Sequence, residues 1–212
     1  MATMSTFVGD GKTRLTNGVG TTTSFYFPHG ISIDNEGTMF VADWYNNSIR
    51  KITGDGVVTT FAGTGDGGFT DGAGDQAQFR CPSGVCVTDT GVVVVADTRN
   101  HRIRRITPDG NVSTLARNGT AGHQDGDGVW TMFNSPQDVV MGTATCLLLI
   151  LYHRIRKTTA NGRVATLAGN GVGGHRDRDG TQAQFNAPVG LCVDWCDVRC
   201  RLQQPPYSPH HP

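Results

Sequence analysis

The sequence predicts an all-β fold built from repeated four-stranded antiparallel units. Landmark residues recur at a fixed spacing, and short β-branched segments alternate with turns. No segment of ten residues or more carries the 3.6-residue apolar period of an amphipathic helix. Glycine supplies 29 of the 212 residues, about twice its ordinary share, which is typical of a chain with many turns.

The repeat unit is 54 residues long. Prolines recur at spacings of 54, 54 and 52 residues, at Pro28, Pro82, Pro136 and Pro188. Aromatic residues keep the same spacing, at Phe25, Phe79, Phe133 and Phe185. The shorter final interval indicates a two-residue deletion in the third unit. Agreement between independent landmarks predicts a true structural repeat.

Each unit contains four candidate strands. In the first unit these are GISID (30–34), TMFVAD (38–43), SIRKIT (48–53) and VVTTFAG (57–63). The third and fourth strands are separated by a Gly-containing turn, which recurs as PDG (108–110) and ANG (160–162). Such sequences suit the positive φ angles of tight hairpins. Four antiparallel strands per repeat predict the blade of a β-propeller.

The first two units resemble NHL repeats, whose pattern is P-x-G, an apolar strand, V-A-D, N-H-R-I-R-K-I and a D-G turn. The matching segments are FPHGISIDNEGTMFVADWYNNSIRKITGDGVVTTFAG and CPSGVCVTDTGVVVVADTRNHRIRRITPDGNVSTLA. The resemblance covers about residues 25–194 and implies a β-propeller, commonly of six blades, used mostly as a binding platform. We therefore expect an incomplete propeller of NHL-type blades, with three full blades and a partial fourth.

The ends of the chain suggest how the partial blade is composed. MSTFV (4–8) matches a fourth strand and GLCVD (190–194) matches a first strand, so both are expected in one composite blade. The propeller region is expected over 1–195, followed by a disordered tail over 196–212. We expect the chain to be a fragment, splice form or frameshifted product of a larger propeller.

A basic-apolar hexapeptide recurs in the third strand of each unit, as SIRKIT, RIRRIT and RIRKTT. Ile49 and Ile52 are three residues apart, so burying both requires a local twist or bulge. We predict a repeated structural brace in which carboxylates at the end of the second strand pair with arginines of the third; its residues are Asp43, Asp97, Arg50, Arg104 and Arg156. The third unit lacks V-A-D, which removes the expected partner of Arg156. The alternative interpretation is a ring of guanidinium groups for phosphate.

The glycine-rich loops between units are candidate interaction loops. Their polar residues are Asp71, Asp75, His123, Asp125, Asp127, His175, Asp177 and Asp179. Calcium is disfavoured because no loop ends in the glutamate that an EF-hand uses. The repeat-equivalent pair His101 and His153 is expected to be structural. No catalytic, metal-binding or cofactor-binding residue is assigned, and no cofactor is expected.

Eighteen basic residues balance eighteen acidic ones, so total charge does not point to nucleic acid or an anionic membrane. The expected function is a non-catalytic protein-interaction surface, with a protein partner and self-association through open sheet edges. RNA binding through an arginine-bearing blade face is one alternative, and a propeller enzyme of the amidating-lyase type is another. With no secretory signal pattern at the start of the sequence and no membrane partner expected, we predict a soluble protein in the cytoplasm.

Overall fold

The computed structural model describes residues 3–116, 119–127, 130–141, 146–150, 153–159 and 161–191. Within these ranges the structure is antiparallel β-sheet without any α-helix. Short 3-10 turns occur at Gly20–Thr22, Thr98–Asn100 and Gly180–Gln182. Among the described residues, no helix reaches the length and apolar character that a membrane crossing requires.

Three sheets follow one another along the chain, and we call them blades 1 to 3. Blade 1 consists of β1 (Gly18–Val19), β2 (Pro28–Ile33), β3 (Met39–Asp43), β4 (Ser48–Ile52) and β5 (Val57–Ala62). Strands β2 to β5 lie in chain order, and the two-residue strand β1 pairs with the outer edge of β5.

The other two blades repeat this order with four strands each. Blade 2 consists of β6 (Pro82–Val87), β7 (Val93–Asp97), β8 (Arg102–Ile106) and β9 (Val112–Ala116). Blade 3 consists of β10 (Pro136–Met141), β11 (Cys146–Ile150), β12 (Arg154–Thr158) and β13 (Val164–Ala168). The predicted all-β architecture of four-stranded blades is confirmed.

A bulge interrupts the pairing of the third strand with the fourth in every blade. The register shifts between Ile49 and Arg50 in blade 1, and at the equivalent positions in blades 2 and 3. As a result Ile49 and Ile52 are 0% and 3% exposed, although they are three residues apart. The predicted bulge is confirmed, and it also directs the arginine after it into the blade.

The first strands of neighbouring blades pack closely, and the glycine of P-x-G permits this approach. A Cβ added at Gly30 would lie 2.5 Å from the carbonyl oxygen of Ser83, and one added at Gly84 would lie 2.5 Å from Cα of Asp138. Both distances are too short for real atoms. The apolar core between blades 1 and 2, which includes Phe40 and Phe79, depends on this close packing.

The ends of the chain differ in part from the expectation. Residues 4–8 form no strand, so the prediction of a fourth strand there is wrong. A strand needs a neighbour to receive its backbone hydrogen bonds, and the chain near Gly9 instead bonds to Gly20 and Thr23 beside blade 1. The segment 190–194 is described only to Leu191, and the tail 196–212 lies outside the described residues.

Candidate functional site

Each blade buries one arginine of the basic hexapeptide completely. Arg50, Arg104 and Arg156 are all 0% exposed. Each guanidinium also lies near the ring of a buried or half-buried phenylalanine, at 4.9 to 5.0 Å from its centroid. The interpretation in which these arginines form a phosphate-binding ring is therefore wrong, because none of the three guanidinium groups reaches the surface.

In blades 1 and 2 the buried arginine pairs with the aspartate that ends the second strand. Asp43 Oδ2 lies 2.9 Å from Arg50 Nη1, and Asp97 Oδ2 lies 2.8 Å from Arg104 Nη1. Each carboxylate also accepts a backbone N–H bond and a side-chain amide bond, from Tyr26 and Asn46 in blade 1 and from Arg80 and Asn100 in blade 2. Burial raises the pKa of Asp43 and Asp97, and these bonds oppose it.

In blade 3 the second strand provides no carboxylate at this position. Ile150 pairs with Pro136 as Asp97 pairs with Pro82, so an isoleucine stands in the register of the aspartate. Arg156 nevertheless has an anionic partner, because Oδ1 of Asp125 lies 2.8 Å from its Nη2 and 2.9 Å from its Nε. The partner expected from the second strand is absent, as predicted, and the inter-blade loop supplies a different carboxylate.

The loop position that serves Arg156 recurs in all three blades. Asn17, Asp71 and Asp125 are spaced by 54 residues. Asn17 Oδ1 accepts a bond of 2.9 Å from Arg50, and Asp71 Oδ1 lies 2.6 Å from Arg104. Asp71 and Asp125 were candidate interaction residues, but both carboxylates hold a buried arginine of their own blade. Burial raises the pKa of Asp125, but bonds from Thr166 and Arg156 outweigh it and leave this pKa lowered.

The other candidate loop residues lie at the surface and do not converge. The exposed positions are Asp75, His123, Asp127, His175, Asp177 and Asp179. Asp127 lies 3.8 Å from Arg163, with both side chains mostly in solvent. Partial burial, with the charges of Arg156 and Arg154, lowers the pKa of His123. Within the described ranges, no group of three or more His, Cys, Asp or Glu residues has the arrangement of a metal site.

A repeated hydrogen bond joins each blade to the next. The side chains of Asn47, His101 and His153 are spaced as the repeat, and each accepts a 3.0 Å bond from a backbone N–H of the following unit, at Cys81, Ser135 and Ala187. Burial, with the charges of Arg102 and Arg80, lowers the pKa of His101, which favours the neutral imidazole that this bond requires. The two histidines therefore lie at different blade junctions.

The first strands of the blades line an open cavity of about 440 Å³, and one carboxylate lies in it. Asp138 occupies the position that is glycine in the first two units, at Gly30 and Gly84. Its Oδ2 accepts a 2.9 Å bond from the backbone N–H of Leu191. Burial raises the pKa of Asp138. This carboxylate connects blade 3 to the start of the fourth unit.

One end of blade 1 carries a cluster of aromatic rings, which we call the aromatic platform. It consists of Tyr26, Phe27, His29, Trp44 and Tyr45. Ring centroids are 4.9 Å apart for Tyr26 and Tyr45, 5.4 Å for Phe27 and Tyr45, and 4.6 Å for the stacked pair of His29 and Trp44. Phe27 is 62% exposed and Tyr45 is 46% exposed, so large apolar rings face solvent.

The buried brace holds the two segments of the aromatic platform together. Tyr26 and Phe27 precede β2, whereas Trp44 and Tyr45 follow β3. The backbone N–H of Tyr45 donates a 3.0 Å bond to the carbonyl oxygen of Tyr26, and the N–H of Tyr26 donates a 2.7 Å bond to Asp43. The carboxylate that pairs with Arg50 thus also fixes the backbone that carries the rings.

Blade 2 places two arginines where blade 1 has two tyrosines. Arg80 and Arg99 follow Tyr26 and Tyr45 by 54 residues, and their backbones make the same 3.0 Å bond. Both residues are exposed. None of the ion pairs found in the described part of the chain uses either one. We call the aromatic platform together with Arg80 and Arg99 the platform surface.

Two sequence signals could have revealed these features. The first signal is the 54-residue spacing of Asn17, Asp71 and Asp125. This spacing alone does not show that these side chains bind the buried arginines, because that contact depends on the bulge that turns each arginine inward. The aromatic platform appears in the sequence as FYFPH (25–29) and DWY (43–45), where the second unit has FRCPS and DTR. Loop positions at which one repeat unit differs from the others are candidates for function, and overall composition does not show such differences.

Comparison with known proteins identifies the repeat. The profile of the NHL repeat family matches residues 25–52 and 79–106, which lie in blades 1 and 2. A segment of 93 residues is 41% identical to the protein SUPPRESSOR OF QUENCHING 1, chloroplastic, of Arabidopsis thaliana, covering 42% of this chain and 9% of that protein. Another of 92 residues is 35% identical to NHL repeat-containing protein 2 of Homo sapiens, covering 42% of this chain and 13% of that protein.

Solved structures share the fold at low sequence identity. An auxiliary nutrient binding protein from Bacteroides thetaiotaomicron superposes with a TM-score of 0.64 at 19% identity, covering 82% of this chain and 44% of that chain. Virginiamycin B lyase from Staphylococcus aureus superposes with a TM-score of 0.53 at 16% identity, covering 79% of this chain and 46% of that chain. This chain therefore spans less than half of these propellers and a small part of its curated relatives. With its repeated blades, its two matches to the repeat profile and the fold it shares with these propellers, the chain is a β-propeller segment that carries NHL repeats in blades 1 and 2.

Proposed function

We propose that the chain is a non-catalytic interaction module that binds another protein through the platform surface. The observation that carries the proposal is the exposure of several aromatic rings in blade 1 and, at equivalent positions of blade 2, of two arginines that form no ion pair with any described residue. Tyrosine, tryptophan and arginine are the residues that most often dominate the binding energy of protein interfaces.

Exposed apolar rings gain free energy when a partner removes them from water. Contiguous apolar patches on a protein surface commonly mark interaction sites. Burial yields about 25 cal/mol per Å² of apolar area, so covering two aromatic rings contributes several kcal/mol before the costs of association are subtracted. Phe27 and Tyr45 supply such rings, and they lie in edge-to-face contact with each other.

The surrounding structure supports a pre-organised site. Asp43 holds Tyr26, and Asn47 accepts the N–H of Cys81 at the junction between the blades. Side chains that are already positioned lose less conformational entropy when they bind. The names of the relatives support membership of a repeat family used in larger proteins, and the propellers of known structure support the fold. Because the chain spans a small part of its curated relatives, the proposal concerns these blades.

Site-specific photo-cross-linking tests the location of the surface. A photoreactive phenylalanine analogue at position 45 should cross-link to a discrete protein, which mass spectrometry identifies and a titration with the purified protein then verifies. The control position is Trp130, which is 68% exposed and lies outside the platform surface. Equal labelling of the same proteins from both positions, or no verified binding to the purified candidate, would overturn the proposal.

A further inference from the structure

We infer that the platform surface binds an acidic, extended protein segment that places proline or another apolar residue on blade 1 and carboxylates on blade 2. This inference rests on the proposed function and adds the chemistry of the partner. It follows from the different residues that the two blades present at equivalent positions.

The arginine pair determines the charge of the ligand. The backbone bond between Arg99 and Arg80 places these two exposed residues side by side. Burial raises the pKa of the Cys81 thiol, and the charges of both arginines oppose that rise, so both charges act on the same place. Like charges that lie close together without counterions favour binding of an anion. A guanidinium binds a carboxylate through two parallel hydrogen bonds. Two neighbouring glutamate or aspartate residues of a ligand could therefore each bind one of the two arginines.

The aromatic platform determines the apolar part of the ligand. Exposed aromatic rings in a shallow site bind extended proline-containing segments, which lose little conformational entropy on binding. Phe27 and Tyr45 lie edge to face and are 62% and 46% exposed, so part of each ring is available to a ligand. A pyrrolidine ring or an aliphatic side chain fits such a corner.

The blade junction fixes the two parts relative to each other. The Asn47 side chain follows Tyr45 by two residues and accepts the N–H of Cys81, the residue after Arg80. A direct bond between residues close in sequence to each part therefore joins the aromatic platform and the arginine pair across the blades. A segment in extended conformation can contact both parts at once.

A nucleic acid is the less suitable ligand for this surface. The chain has no net charge, whereas nucleic-acid binding commonly relies on many basic contacts to phosphates. The stacking faces are also partly used within the protein, because His29 stacks on Trp44 and Tyr26 packs on Tyr45. Base stacking requires ring faces that are free.

Fluorescence anisotropy with defined probes tests the inference. The probes are labelled 12-residue peptides that alternate glutamate and proline, lysine and proline, or glutamate and glycine, together with a 12-nucleotide oligouridylate. We expect the glutamate–proline peptide to bind about tenfold or more tightly than each of the others, because only it satisfies both parts of the surface. A preference for oligouridylate would assign the surface to nucleic acid and overturn the inference.

Variants separate the two parts of the surface. Arg99→Glu and Tyr45→Ala should each lower the affinity for the glutamate–proline peptide by about tenfold or more, since each removes a central residue from one half of the site. Arg105→Glu and Trp130→Ala make matched changes at exposed positions outside the platform surface and should leave the affinity unchanged. Urea midpoints within the error of the parent protein establish that each variant is folded.

The outcomes also distinguish this inference from the proposed function. If no peptide binds preferentially but position 45 cross-links to a protein that binds when purified, the acidic-segment inference fails and the proposed function stands. If position 45 yields no verified partner and no peptide binds, both fail. Equal effects of the platform variants and the control variants would also overturn the inference.

Discussion

Asp125 forms an ion pair with Arg156 although the two residues belong to different parts of the repeat: Oδ1 of the aspartate lies 2.8 Å from Nη2 of the arginine. The arginine lies in β12, whereas the carboxylate comes from the loop between blades 2 and 3. In blade 2 the same loop position, Asp71, is a second carboxylate beside the one from β7. Loss of V-A-D in the third unit is therefore compensated by a group already present in the repeat.

Asp125→Ala should lower the free energy of unfolding by about 2 kcal/mol, because it leaves a fully buried guanidinium without a carboxylate among the described residues. The side chain of Asp125 is 40% exposed, which keeps the expected loss below that for a fully buried pair. Urea unfolding monitored by tryptophan fluorescence measures the change.

Two other aspartates serve as controls for this loss. Asp71→Ala should cost about 1 kcal/mol, because Arg104 retains Asp97. Among the described residues, Asp127→Ala removes a long, exposed contact to Arg163, and it should change the free energy of unfolding by about 0.5 kcal/mol or less. Equal losses for Asp125→Ala and Asp127→Ala would contradict the role assigned to Asp125.

Asp43→Ala should destabilise the protein more than Asp97→Ala, by about 1 kcal/mol. Sequence alone would rank them in the opposite order, because Asp97 lies in the central blade and the strand after it carries Arg102, Arg104 and Arg105. The structure changes this ranking because Arg104 keeps Asp71 after Asp97 is removed, whereas the acceptors that Arg50 keeps among the described residues are all neutral. Free energies of unfolding for both variants decide the order, and a larger loss for Asp97→Ala would refute this argument.

Asn17→Asp should stabilise the protein by about 0.5 to 1 kcal/mol, since it adds a carboxylate beside Arg50. Thr60 and Arg50 already bond to Asn17 Oδ1 as Thr114 and Arg104 bond to Asp71, so the geometry is in place. In a double-mutant cycle, Asn17→Asp should also reduce the cost of Asp43→Ala. Additive free energies in that cycle would show that the two groups do not share the arginine.

His101→Asn should retain most of the stability, while His101→Ala should lose about 1 kcal/mol. Asn47 makes the same bond to the next blade with an amide oxygen, so asparagine is an acceptor that the repeat already uses. The comparison is made by urea unfolding at neutral pH. If both variants unfold at the same midpoint, the hydrogen bond to Ser135 contributes nothing measurable.

The same histidine predicts a pH dependence. The pKa of His101 is lowered from 6.5 in the folded protein, so the unfolded chain binds this proton at higher pH than the folded chain does. Stability from His101 is therefore present above about pH 6.5 and is lost as the pH falls towards the folded-state pKa. His101→Asn should show a smaller loss than the parent protein between about pH 7.5 and 5.5. Parallel curves would contradict this assignment.

The strands and turns of the blades could be predicted from the sequence because each depends on residues that are close together along the chain. The P-x-G landmarks, the alternating strands and the hairpin turns each depend on a few neighbouring residues, and the structure places the strands within a residue or two of the predicted bounds. The bulge was also predictable, because Ile49 and Ile52 cannot both be buried in regular alternation.

The site required long-range information. Whether Asp71 faces solvent or Arg104 depends on a loop that folds back across 33 residues, and no local pattern specifies this. The same limit applies to residues 4–8, whose sequence matches a strand but which have no strand partner among the described residues. Pairing depends on the neighbouring strand as much as on the segment itself.

Asp138→Ala should release the start of the fourth unit from blade 3. In blades 1 and 2 this position is glycine, and in blade 3 the carboxylate accepts the N–H of Leu191, which is 8% exposed and packs with Ile155. Without that acceptor the amide exchanges with solvent after a smaller local opening, so hydrogen exchange at Leu191 should quicken by about tenfold. Val139→Ala in the same strand controls for a general loss of stability. If both variants accelerate Leu191 equally, the effect is global unfolding and Asp138 has no specific role in holding this segment.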